Sequence, residues 1–410
     1  MATWPVKRMD ELCEITSSKR IFAADYVSEG VPFYRGREIT EKYKGNLDVS
    51  TELFITEEKF SEIERKFGAP KTGDLLLTSV GTLGSVYVVK PSDRFYFKDG
   101  NLTWFRNFQE LDSRFLYYWL GSPQGKAELQ KATIGSSQSA FTIVLLKGME
   151  MELPPLPVQR RIAGILSAYD ELMENSQRRI RLLEAMARAL YREWFVHFRF
   201  PGHEKHPRVA SPLGDIPKGW EVKPFTDIAD VLSGGTPKTD VAEYWDGEIP
   251  FFTPRDVPDC FYVQDTDKHT NELGLSKCAS ELYPPDTVFI TARGTVGKVA
   301  LPSVPMAMNQ SCYALRGKPG IPQRFLFLMT LQQVDYLKTN TGGATFDTIV
   351  VDTFRRMEVV KPAREIAARF AKKTDAIFEQ VNTLQRQIQN LRRTRDLLLP
   401  RLLSGQVNVT

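Results

Sequence analysis

The sequence predicts a mixed α/β (α+β) chain with two tandem globular domains. Each domain is followed by a long helix, and the two helices pair as an antiparallel coiled coil. Three observations carry this. The loop TSVGTLGS at 78–85 returns as TARGTVGK at 291–298, inside a set of segments that recurs in one order. Two stretches hold apolar residues in alternating steps of four and three, with no proline before Pro201 and Pro400, which is a helical seam. The regions between are short Val/Ile/Phe/Tyr runs cut by Gly and Pro, the mark of short strands. The expected boundaries are 1–155 for the first domain, 156–200 for the central helix, 201–219 for a linker, 220–360 for the second domain and 361–405 for the C-terminal helix.

The elements follow in order. Each copy begins near a tryptophan, Trp4 or Trp220, and continues into a strand ending in basic residues, VPFYRGREI (31–39) or IPFFTPRDV (249–257). A strand–loop–strand unit comes next, GDLLLTSVGTLGSVYVV (73–89) or PDTVFITARGTVGKVAL (285–301). An amphipathic helix follows, RFLYYWL (114–120) or RFLFLMTL (324–331), and then a Gly/Ser/Thr loop closing on Phe, IGSSQSAFTI (134–143) or TGGATFDTI (341–349). Identity between the copies is low but the order is shared, which indicates duplication. The period far exceeds that of a solenoid, so these are two domains.

A proline introduces each long helix, LPVQRRIAGILSAYD (156–170) or KPAREIAARFAKKTD (361–375). The first seam reads Ile162, Leu166, Tyr169, Met173, Ser176, Ile180, Leu183, Ala187, Leu190, Trp194; the second reads Ile377, Val381, Leu384, Ile388, Leu391, Arg395, Leu398. A helix of roughly 40 residues is about 60 Å long and cannot hide such a seam within a small domain, so each is expected to pack on the other. The segment PGHEKHPRVASPLGDIPKG is polar and aperiodic, as a linker is.

With 42% hydrophobic and 25% charged residues the chain is globular rather than disordered. No apolar run approaches the ~18 residues of a membrane span, and MATWPVKRMDELCEIT has no apolar signal core; a cytoplasmic location is expected. Cys13, Cys260, Cys278 and Cys312 form no CxxC pair, and HEKH is one residue short of HExxH, so no metal is expected. The net charge of +4 permits a nucleic-acid partner without demanding one.

Catalytic motifs are missing. ARGTVGKV lacks the first glycine and final Ser/Thr of a phosphate loop. YPPD is not the amino-methyltransferase tetrad, because no aromatic follows the prolines, and no histidine stands beside a nameable nucleophile. No cofactor site is read, and the chain reads as a binding protein and not an enzyme.

The repeated loops suit DNA. Glycines allow a tight turn and a close approach. Thr291, Thr295 and free N–H groups suit phosphates, Arg293 a guanine edge and Lys298 a phosphate. The first copy offers Thr78, Ser79, Thr82 and Ser85 in the matching places. Arg35 and Arg37 end one early strand and Arg255 its counterpart; Lys238 lies in SGGTPKT; Gln138 and Thr345 lie in the second loops. The plainer alternatives are tight turns and solvated strand ends. Arginines crowd both long helices, which suits a solvated face, a DNA backbone or a docked partner.

The ordered set of LPPLPVQRRIAGILSAYD, REWFVHFRFPGHE (192–204), SGGTPKT and RDLLLPRLLSG, over essentially the whole chain, resembles the DNA-specificity subunit of type I restriction–modification systems. The resemblance implies two target recognition domains, each reading half of a split double-stranded DNA site. It implies that the helices act as a ruler; half-sites one helical turn apart lie ~34 Å from each other, within their reach. It implies docking of methyltransferase subunits, probably two, and through them restriction and translocase subunits, with no catalysis in this chain. The second helix entrance, VVKPAREIAARFA, lacks the double proline and glutamine of the first. A recognition scaffold of another DNA-modifying or defence assembly is the alternative.

Overall fold

A computed structural model describes residues 4–46, 49–135, 139–340 and 348–407, without the side chains of 337–340. The chain divides into two compact units, 1–174 with 391–410, and 175–390. Each long helix therefore contributes to both units. Among the described residues no helix is long and apolar enough to cross a membrane.

In the first unit Val6–Arg8 pairs antiparallel with Glu150–Glu152, joining the start of the domain to its end. The main sheet runs in the order Glu14–Thr16, Leu102–Arg106, Leu75–Thr78, Val86–Val88, all antiparallel. Leu75, Leu76 and Leu77 are apolar without alternation because both faces of their strand are covered. Leu75 and Leu77 join a core with Phe105, Phe115 and Trp119. Leu76 packs on the other face with Tyr87, Phe97 and Trp104. A small sheet runs Tyr26–Val27, Phe54–Ile55, Val31–Tyr34, Tyr96–Phe97.

The central helix, Leu156–Tyr191, enters through Gln159. This side chain is fully buried. It accepts from the backbone N–H of Asp112 at 2.9 Å and donates to the carbonyls of Glu110 at 2.8 Å and Pro154 at 2.7 Å. Ile162 and Leu166 enter the core beside Leu402 and Leu403 of the C-terminal helix, which spans Arg364–Leu403. Asp170 accepts from Tyr118 Oη at 2.6 Å and Arg395 Nη1 at 2.5 Å. Higher numbers on one helix thus meet lower numbers on the other, so the segments within this unit run antiparallel.

The second unit repeats the plan. Glu221–Pro224 pairs antiparallel with Glu358–Lys361. The main sheet runs Ala229–Ser233, Cys312–Gly317, Val288–Thr291, Val299–Pro302, with Tyr262–Val263 added parallel at the edge. The small sheet runs His269–Thr270, Ile249–Phe252, Ala307–Met308. The central helix ends in a π-helical turn, Arg192–Val196. The REWFVHFRF run has a packing role: Trp194, Phe195 and Phe200 are buried, Phe195 meets Phe325 and Phe370, and Phe200 stacks on Trp220 at 5.4 Å. Within 201–219, Arg208–Val209 and Ile216–Pro217 form a short antiparallel pair.

The seam residues need correction at four places. Ile162, Leu166, Ile180, Val381, Leu384 and Ile388 are buried, but Leu183, Leu190, Ile377 and Leu391 are only half-buried. Their neighbours Glu184, Tyr191 and Phe378 take the buried places of the first three. Buried positions along the C-terminal helix step 370, 374, 378, 381, 384, 388, nearer the 3.6 period of an ordinary helix than a strict 3.5 repeat.

Glu184 also fastens the central helix within the second unit. Its Oε1 accepts from the backbone N–H of Phe261 at 2.6 Å. Burial pushes its carboxyl up to about 7, against the pull of that N–H and of Arg188. The unfolded chain releases this proton near 4.5, so between these values the native chain holds a proton the unfolded chain has lost. Stability therefore falls as pH rises through that window and is level above it. Glu184→Gln keeps an acceptor without the charge; it should match the parent near pH 4.5 and exceed it at pH 8 by on the order of 2 kcal/mol. Urea unfolding at the two pH values checks this, and a constant difference would contradict it.

Candidate nucleic-acid interface

The two repeated loops have one backbone. In the first, Thr78 N–H donates to the Ser85 carbonyl at 3.0 Å, Gly84 N–H to the Thr78 carbonyl at 3.0 Å, and Ser85 N–H to Thr78 Oγ1 at 2.9 Å. In the second, Thr291 N–H donates to the Lys298 carbonyl at 2.9 Å, Gly297 N–H to the Thr291 carbonyl at 2.8 Å, and Lys298 N–H to Thr291 Oγ1 at 2.9 Å. Gly81, Gly84, Gly294 and Gly297 have φ of 82°, 84°, 77° and 73°, a left-handed conformation that suits glycine. A side chain on Gly81, Gly84 or Gly294 would meet nothing within 4 Å, so within each unit these loop tips are open.

The second Gly/Ser/Thr loop is tied to the first in both copies. Phe141 N–H donates to the Ser79 carbonyl at 3.0 Å, and Ile349 N–H to the Ala292 carbonyl at 2.9 Å. Ser79 N–H and Ala292 N–H in turn donate to the carbonyls of Asn101 and Ser311, each at 2.8 Å. Gln138 and Thr345 lie outside the described residues.

This geometry corrects four expectations. Thr78, Ser79, Ser85 and Thr291 are buried. Thr78 Oγ1 and Thr291 Oγ1 hold their loops closed, and Ser79 Oγ lies 2.6 Å from Thr103 Oγ1. None of these side chains is presented to a ligand; they belong to the turns that present others. Thr82, Arg293, Thr295 and Lys298 are exposed.

Arg35 and Arg37 do not simply end a strand. They flank the start of helix Gly36–Tyr43. Their guanidinium groups meet Glu38 Oε1 at 3.3 Å and 3.0 Å, while Glu38 Oε2 accepts Arg35 N–H at 2.8 Å. Burial pushes the Glu38 carboxyl up, but the backbone N–H groups of Arg35 and Glu38 and both guanidinium groups outweigh it and hold the carboxyl below its ordinary range. Arg35 is half-buried and Arg37 exposed. In the second copy Thr253 stands where Arg35 does, and Asp256 where Glu38 does, with Asp256 Oδ2 accepting Thr253 N–H at 2.8 Å. Arg255, the counterpart of Arg37, is exposed and makes no side-chain hydrogen bond or ion pair with the described residues.

The second unit gathers its candidates into a cleft of about 660 Å³, which Arg255, Arg293 and Thr295 line together. The arrangement also brings in Thr236, Lys268, Asn309 and Gln310, which motif reasoning missed. Thr236 comes from SGGTPKT. A Cβ on Gly234 would sit 2.0 Å from the Asn309 carbonyl oxygen, and one on Gly235 2.5 Å from the Ala279 nitrogen. The paired glycines let this turn press against the Asn309 backbone and bring Thr236 Oγ1 onto Gln310 Oε1. Lys238, the residue expected from that motif, is exposed but does not line the cleft; its carbonyl accepts Trp245 Nε1 at 3.0 Å. Lys298 also stands outside the lining.

Arg293, like Arg255, has no side-chain partner among the described residues. Asp256 and Asp267 also line the cleft, Asp256 being held by Thr253 and by Asp267 N–H. Beside them, two unpaired guanidinium groups, an ammonium, and amide and hydroxyl side chains suit an anionic polymer whose edges carry hydrogen-bonding groups. Guanidinium and amide side chains make bidentate pairs with base edges, and hydroxyls and ammonium groups hold phosphates.

The family described as Type I restriction modification DNA specificity domain matches residues 1–185 and again 217–393. The type I restriction enzyme MjaIX specificity subunit of Methanocaldococcus jannaschii is 26% identical over 417 residues, covering 99% of this chain and 94% of that one. The type I restriction enzyme HindI specificity subunit of Haemophilus influenzae is 24% identical over 327 residues, 65% of this chain and 71% of that one. The fold is similar to the crystal structure of the type I restriction–modification S subunit from M. genitalium, with a TM-score of 0.61, 16% identity, and coverage of 97% of this chain and 96% of that one.

Proposed function

This chain belongs to the type I restriction–modification DNA specificity family, and from that premise we propose that it reads a bipartite double-stranded DNA site and brings catalytic partners to it. One observation carries the reading: a single loop backbone is built twice, with different exposed side chains at its tip. Two half-sites of different sequence need that combination. The long helices set the distance between the readers. Methyltransferase subunits, two by the duplication, dock on the chain and connect it to restriction and translocase subunits. Methyl transfer and cleavage belong to those partners, and the complex works on DNA in the cytoplasm.

The test is substitution of the exposed residues of the second loop. Arg293→Ala should weaken specific binding by about 1–3 kcal/mol and relax one base position. Lys298→Ala should weaken binding on all sequences alike and reduce the salt slope by about one. Titration of cognate and scrambled duplexes at several salt concentrations separates the two. Equal loss for Arg293→Ala on both duplexes would assign that residue to phosphate, and an unchanged slope for Lys298→Ala would remove it from the interface.

A further inference from the structure

The internal repeat allows the two readers to be compared position by position. The residue after Ser79 and the one after Ala292 occupy one backbone site. Each follows a residue pinned through both its N–H and its carbonyl, and each precedes a left-handed glycine, Gly81 or Gly294, that turns the chain. The occupants are Val80 and Arg293, both exposed. Two places on, the occupants are Thr82 and Thr295, exposed and chemically the same. At the loop's end, Ser85 is buried and Lys298 exposed.

What both halves of a split site share is the phosphate backbone; what distinguishes them is their bases. The matched threonines fit the first requirement and the unmatched Val80 and Arg293 the second. Val80 is 39% exposed at an open tip. It has no hydrogen-bonding side chain, so the base feature it can recognise is apolar. In the major groove that feature is the C5-methyl group of thymine. We propose that this position is the base-discriminating site of each reader, with Val80 reading a pyrimidine C5-methyl group in one half-site and Arg293 a guanine in the other. The inference rests on the bipartite reading above and goes further by assigning a base class to each half.

Selection of duplexes from a randomised library by the full chain tests it, using the parent, Val80→Ser, Val80→Arg and Arg293→Val. The parent should select a thymine at one position of the first half-site. Replacing that thymine by deoxyuridine removes only the methyl group and should weaken parent binding about fourfold, leaving Val80→Ser unaffected. Val80→Arg should move that position towards guanine, and Arg293→Val should abolish a guanine preference of about tenfold or more in the second half-site alone. All three substitutions lie on exposed loop tips, and unfolding curves matching the parent confirm intact folds. Unchanged base preferences in the Val80 variants, or weakening uniform over all sequences, would overturn this inference while a bipartite motif persists. Selection of no bipartite motif by the parent would overturn both it and the reading on which it rests.

Discussion

Replacing Val381 by aspartate should destabilise the second unit by more than about 4 kcal/mol. Val381 is fully buried on the C-terminal helix, between Phe378 and Leu384, which are buried too. The surroundings provide apolar contact where the new carboxylate needs solvent or a partner. An unpaired buried charge is among the few single changes that cost this much. Ile377→Asp is the control: the seam reading gave Ile377 equal weight, but its side chain is half-buried and the new charge can reach water, so its cost should be less than half. Urea unfolding of both variants decides. Equal losses would restore Ile377 to the seam. If the helix pair sets the spacing, Val381→Asp should also bind duplexes with lengthened spacers almost as well as the natural one.

Gln159→Leu should cost about 3–5 kcal/mol. The leucine fills similar space, so the loss isolates the polar contacts. Three backbone groups, Asp112 N–H and the carbonyls of Glu110 and Pro154, lose their partner at a fully buried position. Each unsatisfied buried group costs about 1–3 kcal/mol, and water admitted to the site would recover part. Gln159 sits where the central helix leaves its domain, so the variant should also show faster amide exchange in 156–166 than elsewhere in the first unit. A variant as stable as the parent would mean that the helix entrance relaxes to satisfy these groups.

The helix entrances show why the halves differ. The second entrance has no glutamine at the equivalent place. Gln323, from helix Gln323–Asn340, accepts Gly317 N–H at 3.0 Å and donates to the Leu315 carbonyl at 2.6 Å. Arg324 joins its domain to the C-terminal helix through Asp286 at 3.2 Å and Asp375 at 2.9 Å. Arg324 does from a different element what Gln159 does in the first copy, while both Gln323 bonds stay within the domain. The sequence difference at VVKPAREIAARFA is thus a change in how the joint is fastened.

Much of the plan was legible because it rests on order and period, which a sequence displays. The duplicated loops announced themselves by their glycines, and those glycines do adopt the left-handed turns. What was not legible depends on the side a residue faces. Thr78 and Ser79 end a strand, where a hydroxyl points either to solvent or to the turn; only the pairing of Thr78 with Ser85 N–H decides. In the central helix the apolar Leu183 and Leu190 concealed the phase, because the buried positions are Glu184 and Tyr191. A polar residue in a seam reads as a break until its partner, Phe261 N–H, is known. The sequence around Arg35 and Arg37 does carry a signal for their place. T-P-R-D at 253–256 is a helix-start pattern, and R-G-R-E at 35–38 is its counterpart, which places Glu38 between the two arginines. Asn309 and Gln310 had no motif of their own; the fold alone brings them beside Arg293.

The central claim is that one chain reads two different half-sites at a fixed separation on behalf of a methyltransferase. A genome-wide methylation map of the host, with this gene present and deleted, tests it most directly. The account predicts that deletion removes methylation from one split motif, two short specified ends separated by an unspecified stretch of constant length. An unchanged map, or loss of a contiguous motif, would contradict it.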